Sequence, residues 1–272
     1  MGRATIPAAR IPRMTDPASV AGPRNLHIGC AGWSVSRDVA DELPPTGTHL
    51  ERYAAVFRSV EINSSFHRPH RRTTYERWAS SVPDDFRFSV KLPKVITHEK
   101  RLTATTDVLD TFLGEVNGLG SKLGALLVQL PPSAHFDADV AGAFFEALRA
   151  RHDGDVFIEP RNKSWFGQVP NRMLVELRIG RVGADPAIIP VAAEPGGISG
   201  KVYFRLHGSP QVYYSSYTSS YLDALAFRVL AHARSGGTVW CMFDNTIRGA
   251  AMVNALYLRK KIALSDRPAV RR

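Results

Sequence analysis

Cysteine is scarce: two in 272 residues are too few for a disulfide-stapled scaffold, and with no secretory signal they point to a cytoplasmic protein with reduced thiols. Long apolar runs are missing as well. No stretch approaches the roughly 18 consecutive apolar residues of a membrane-spanning helix, so no membrane partner is expected. Nor is there an internal repeat with a period of about 20 to 50 residues, which argues against solenoids and propellers. Nothing in the middle of the chain reads as an interdomain linker. What is present, at 44% apolar residues, is enough to bury one large core.

A net charge of +10 invites a nucleic-acid reading until its distribution is examined. The first 24 residues carry +3 and the last 15 carry +5, leaving +2 for the 233 residues between them. Residues 1–24, rich in Pro, Ala and Arg, read as a disordered basic extension, 25–262 as the folded domain and 263–272 as a basic tail. Such tails touch polyanions loosely and say little about the folded body.

Eight β-rich runs punctuate that body: HIGCAGW (27–33), SVEINSSF (59–66), FRFSVKLP (86–93), GALLVQLPP (124–132), DVFIEPR (155–161), GRVGADP (180–186), KVYFRLHG (201–208) and TVWCMFDNT (238–246). Between them, THLERYAAVF (opened by Thr48 as N-cap), TTYERWASSV, DADVAGAFFEALRARH and SSYLDALAFRVLAHAR have apolar residues at helical spacing. Alternation of this kind implies right-handed crossovers and a parallel sheet, and eight units are the number that closes a (β/α)8 TIM barrel. The sixth connection, AIIPVAAEPGGISG, is too short and glycine-rich for a full helix.

Period two assigns the faces. Val60, Ile62, Val90, Leu92, Val128, Leu130, Val156, Ile158, Phe204, Leu206, Val239 and Phe243 fall on one side. Glu61, Asn63, Lys91, Gln129, Glu159, Arg161, Arg205, His207 and Asp244 fall on the other, towards the C-terminal ends of the strands. In a barrel the second set collects at the C-terminal mouth, where reactive groups gather. A buried ion network that only holds the strands in register is the structural alternative.

The ordered set IGCAGWS, LERYAAVFRSVEINSSFHR, FRFSVKLPKVITHEKRL, LGALLVQLPPS, IEPRNKSWF, YFRLHG and FDNTIRGAAMVNA resembles the YecE-like family, a domain-of-unknown-function family of TIM barrels, across about residues 26–258. The resemblance implies an eight-stranded barrel and supplies no reaction; endonuclease IV and xylose isomerase type barrels are analogues of fold only. The positions matching the family's motifs are Gly32, Trp33, Glu61, Asn63, Phe66, Lys91, Gln129, Glu159, Arg161, Trp165, Arg205, His207 and Asp244. His67, Pro160 and the FDNT tetrapeptide depart from its pattern but leave the charge of the cavity intact.

The candidate chemistry follows from these residue types. Lys91, Arg161, Arg205 and His207 are expected to meet an anionic ligand, since guanidinium groups fit oxyanions bidentately. A Lys91 made neutral among cations is alternatively a nucleophile for a carbonyl. Glu159 and Asp244 are the candidate general acid and base, with Glu61 able to replace either. Gly208, Ser209 and Asn245 (or Thr246, as a helix cap) form a candidate phosphate corner after the last two strands. Trp33, Phe66 and Trp165 are candidate stacking rings. The HRPH run and His98 beside Glu99 form no recognised metal-ligand set, so no metal residue is assigned; Mg²⁺ enters only with a phosphorylated ligand. The expected function is a hydrolase or lyase acting on a phosphorylated or nucleic-acid-derived substrate, the alternative a non-catalytic binder of a nucleotide, sugar phosphate or nucleic acid.

Overall fold

A computed structural model describes residues 23–265. The expected disordered extension and basic tail lie almost entirely outside the described residues. The body is a mixed α/β fold with parallel sheets. Strands β1 (Leu26–Cys30), β2 (Ser59–Ile62), β3 (Arg87–Lys91), β4 (Leu123–Gln129) and β5 (Asp155–Glu159) coincide with the first five β-rich runs. The sixth run is split at Val182 into β6 (Gly180–Arg181) and β7 (Gly183–Asp185). After a two-residue strand β8 (Gly196–Gly197) come β9 (Lys201–Leu206) and β10 (Thr238–Phe243).

The ladders form two sheets rather than the uninterrupted ring expected from eight units. One runs β1-β10-β9-β7 and the other β2-β3-β4-β5-β6-β8. Every pairing is parallel except β6 with β8. An isolated parallel bridge joins Ala31, just past β1, to Glu61 of β2. At the other side Val182 donates its N–H to Ile158 O at 2.9 Å, so the chain passes from one sheet to the other within a single residue. The glycine-rich sixth connection carries no α-helix, only a 3₁₀ turn over Pro190–Ala193 and then β8 folded back on β6.

Local chemistry explains the helices. In α1 (His49–Ala54) Thr48 and Glu51 form a capping box, each side chain accepting from the other's backbone N–H. Helix α2 (Ser64–His67) is a single turn after β2, and α3 (Arg72–Ser80), α4 (Thr106–Val116) and α6 (Gln168–Glu176) occupy later crossovers. Asp137 caps α5 (Ala138–Arg149) and Thr218 caps α7 (Ser219–Arg234); α8 (Ala250–Ser265) closes the described chain. None of these helices is long and apolar enough to cross a membrane.

Two apolar clusters separate the faces of the strands. The larger takes Val60, Ile62, Val90, Leu92, Val128, Leu130, Val156, Ile158, Phe204, Leu206, Val239 and Phe243 with the buried helix faces, as the alternation predicts. The smaller joins Ala125, Leu127, Phe157, Val182, Ala184, Tyr203, Trp240 and Met242, drawn from both sheets. Phe157 of one sheet lies 5.1 Å from Tyr203 of the other, ring centroid to centroid. Cys30 and Cys241 are free thiols buried in the larger cluster, and burial pushes the Cys30 thiol up to about 12.

Candidate functional site

Parallel pairing brings the C-terminal ends of the strands to one side, and there the chain places its buried ions. Lys91 and Glu159 are the last residues of β3 and β5, Glu61 is next to last in β2 and Arg205 next to last in β9; His207 and Asp244 follow β9 and β10 directly. All six are buried.

Arg205 is the hub. Its Nε donates to both Glu61 oxygens at 3.2 and 3.0 Å, and its Nη2 donates to Glu61 Oε1 at 2.7 Å. The same guanidinium reaches Glu159 Oε2 through Nη1 at 2.9 Å and Asp244 Oδ2 through Nη2 at 3.0 Å. One arginine thus compensates three carboxylates from three strands, and the contacts to Glu61 and Glu159 cross between the sheets. Burial alone would ease its proton off, but Asp244, Glu61 and Glu159 hold the guanidinium well above its usual range. Arg205 therefore orients acids, and its fork is not free for the bidentate oxyanion contact expected from the sequence.

His207 lies between two of those acids. Its Nδ1 is 3.1 Å from Asp244 Oδ2 and its Nε2 2.7 Å from Glu159 Oε1. Arg161 Nη2 contacts the same Nε2 and forms an ion pair with Glu159 Oε1 at 2.8 Å. Burial opposes ionisation of Glu159, but Arg161, Arg205 and His207 hold its carboxyl well below the usual range. Asp244 is likewise lowered, Arg205 and His207 outweighing the cost of burial.

Lys91 is different. Its Nζ sits 3.9 Å from the centroid of the Phe66 ring, and among the described residues no carboxylate lies within ion-pair distance of it. Burial first, then the charge of Arg205, lowers its pKa to about 8 against the pull of Glu61, Glu159 and Asp244.

The remaining candidates divide. Phe66 joins the site through Lys91, and Asn63, one residue past β2, keeps a buried Oδ1 with no hydrogen-bond partner among the described residues. Gln129 ends β4 in register with Glu159 and is half-buried. Trp33 packs edge-on against Trp78 of α3 at 5.0 Å. Trp165 is in the core, its indole donating to Ala134 O at 3.0 Å, so it supports the wall instead of offering a stacking face.

The phosphate corner differs from its expected form. The Gly208 N–H already donates to Tyr217 Oη at 2.8 Å, and Ser209 is exposed. Neither Asn245 nor Thr246 caps α8, which begins only at Ala250. Asn245 turns its amide inward, donating to Ser215 O and Asn254 Oδ1 at 2.8 Å each. Gly208 has φ +92° and a Cβ there would stand 2.8 Å from Ser215 O, so glycine is needed for the turn itself.

Two participants escape the sequence reading. Tyr203 donates to Glu61 Oε2 at 2.7 Å and contacts Ser89 Oγ at 3.1 Å, fixing the deep side of the network. Both residues follow the same period-two face, two positions before Arg205 and Lys91, which is the signal that could have found them. Tyr213 packs edge-on to His207 at 5.8 Å and covers it from the loop after β9; nothing in a tyrosine-rich loop singles it out.

Comparison with known proteins agrees with this architecture. A DUF72 family protein from Enterococcus faecalis V583 superposes with a TM-score of 0.73 at 23% identity, covering 87% of this chain and 95% of that one. One from Thermotoga maritima MSB8 gives 0.70 at 24% identity over 86% and 98%. Among curated proteins, UPF0759 protein YecE of Escherichia coli K12 is 29% identical over 136 residues, 47% of this chain and 48% of the relative. UPF0759 protein YunF of Bacillus subtilis 168 is 26% identical over 149 residues, 52% of each. The match thus spans about half the length of these curated relatives. The model of the family described as "Protein of unknown function DUF72" matches residues 27–271, and by that match the chain belongs to the DUF72 family.

Proposed function

We propose that the two sheets are the two arcs of one closed eight-stranded barrel, and that its C-terminal mouth is the active site of a hydrolase or lyase acting on a phosphorylated or nucleic-acid-derived substrate. Closure is supported by the Ala31–Glu61 bridge at one seam, the Val182 passage at the other and the apolar cluster shared by both sheets. The observation that carries the functional reading is Lys91, a buried cation with no ion-pair acid among the described residues, beside a network in which Arg161 and Arg205 are paired. An isolated buried charge is costly, and a network serving stability alone gains nothing from one. In this reading Lys91 and half-buried Arg161 supply the positive charge for the ligand, and Arg205 keeps the acids in place. Asp244 orients His207 through Nδ1, and Glu159 on the Nε2 side completes a proton-handling set.

Full engagement of Glu61, Glu159 and Asp244 favours a second reading, a non-catalytic binder with a rigid ion platform. A thermal-shift screen of the full chain against inorganic phosphate, nucleotides, sugar phosphates, neutral sugars and short oligonucleotides tests both. One phosphorylated class should stabilise the protein, by about 2.7 kcal/mol at a hundredfold excess over Kd, and the shift should shrink in Arg161→Met. Glu159→Gln should then abolish turnover of that compound while sparing the shift. A shift without turnover in the unaltered protein selects the binder, and no shift with any anion refutes both readings.

A further inference from the structure

We propose that Lys91 Nζ is a carbonyl nucleophile, condensing with the aldehyde or ketone group of a phosphorylated ligand to form an imine. The inference rests on the reading of the strand ends as a ligand site and names the substrate class within it.

The geometry separates Lys91 from the other cations. Arg205 and Arg161 are tied to carboxylates at 2.7 to 3.0 Å. Lys91 has an aromatic wall, the Phe66 ring at 3.9 Å, and 6% residual exposure. An amine in an ion pair is held protonated and immobile; Lys91 has no such partner among the described residues, and burial and the charge of Arg205 favour loss of its proton against the π face of Phe66, which favours the ammonium. The charges acting on it come from every side: Glu61 from β2, Glu159 from β5, Arg205 from β9 and Asp244 after β10, with His98 in the turn after β3. With burial and Arg205 lowering its pKa to about 8, about one amine in ten is neutral at pH 7, against roughly one in 2,500 for an ordinary lysine.

The step balances without an oxidant or reductant. The nitrogen lone pair attacks the carbonyl carbon, a C–N bond forms and the C=O π pair moves to oxygen. Transfer of a proton from nitrogen to that oxygen gives a carbinolamine; a second protonation lets the oxygen leave as water with the C–O pair while the nitrogen lone pair forms the C=N. Glu159 and the Asp244–His207 pair are the nearby groups suited to moving those protons. The resulting C=N, once protonated, accepts an electron pair from a neighbouring bond, which is the chemistry of a lyase.

The test is reductive trapping of the full chain with glycolaldehyde phosphate and sodium cyanoborohydride, followed by peptide mapping. The expected product is a secondary amine on Lys91, formed at least about tenfold faster than on exposed Lys163, with a rate that rises with pH and levels off above the Lys91 pKa. It should be absent from Lys91→Arg, which keeps the charge. Thermal stabilisation by 2-hydroxyethyl phosphate, which has no carbonyl, separates the two claims. Stabilisation with no adduct on Lys91 overturns the imine and leaves the ligand site standing. Labelling spread evenly over the lysines also overturns it, and neither adduct nor stabilisation by either phosphate overturns both.

Discussion

Replacing Glu61 by Gln keeps the volume of the side chain and removes its charge, which isolates the electrostatic part of the buried network. Glu61 accepts three contacts from Arg205 and one from Tyr203. A carboxamide has one acceptor atom, so its NH₂ must face either Arg205 Nη2 or the Nε and Tyr203 side, donor against donor. Tyr203 can escape by donating to Ser89 Oγ, 3.1 Å away, but Arg205 cannot. Breaking a buried ion pair from one side costs about 3 to 5 kcal/mol; because Arg205 keeps Glu159 at 2.9 Å and Asp244 at 3.0 Å, the lower end applies. About 3 kcal/mol corresponds to a fall in Tm of roughly 6 to 12 °C for a chain of this size. Arg205→Met, which strips compensation from three acids at once, should be worse, about 5 kcal/mol or more. Urea unfolding of both variants, with m-values compared, is the assay. A loss below about 1 kcal/mol in Glu61→Gln, or a milder effect in Arg205→Met than in Glu61→Gln, would refute the view that Arg205 is the hub.

Other expectations follow from single groups. Lys91→Met should stabilise the protein at pH 7 by about 1 to 3 kcal/mol, since a pKa lowered to about 8 means that the charged form is disfavoured in the fold. For the same reason the unaltered protein binds fewer protons folded than unfolded between about pH 8 and 10.4, so its Lys91 contribution to stability should rise with pH there, and the variant should lack that rise. Glu159 and Asp244, held low in the fold, contribute stability that is fully present above the ordinary carboxylate pKa and lost as pH falls through their folded values; acid titration of Tm should show this limb, and it should weaken in Glu159→Gln. Gly29→Ala should fail to accumulate as folded protein, because its Cβ would lie 2.2 Å from Ser59 O in backbone that cannot retreat without parting β1 from β2; a native circular-dichroism spectrum with unchanged Tm would contradict the packing described.

The strands and their faces were legible because β-branched runs with strict alternation leave little freedom: Val60, Glu61 and Ile62 fall in, out and in of the main core as written. The charged layer was legible for the same reason, since Lys91, Glu159, Arg205, His207 and Asp244 each continue the polar period-two face of their own strand. Partner choice was not. Nothing in the spacing says that Arg205 should take Glu61 in a fork, because that depends on how far the two sheets stand apart. Trp165 shows the limit of position alone: a ring just past a strand end can turn to the helices as easily as to the ligand side, and the carbonyl of Ala134 decides. Residue type makes Asn245 or Thr246 a candidate cap, yet α8 starts at Ala250 after Gly249 at φ +78°, and the Asn245 amide is recruited by Asn254. Helix α4 is outside the four helical segments read from the sequence although Leu109, Phe112, Leu113 and Val116 stand at helical spacing; α6, which buries only Pro170 and Leu174, carries a weaker pattern, and α8 is also outside them.

Beneath the ions lies the small apolar cluster, ending at Trp240, on which His27 stacks at 4.3 Å with its pKa lowered to about 4 by burial and by Arg87. That floor is an electrical insulator. Charges resting on hydrocarbon cannot be screened from below, so their field leaves through the side that faces water, past Lys91 and Arg161. The same floor sets hydrocarbon against the deep side of the ions, where the Tyr203 hydroxyl meets Glu61 at 2.7 Å.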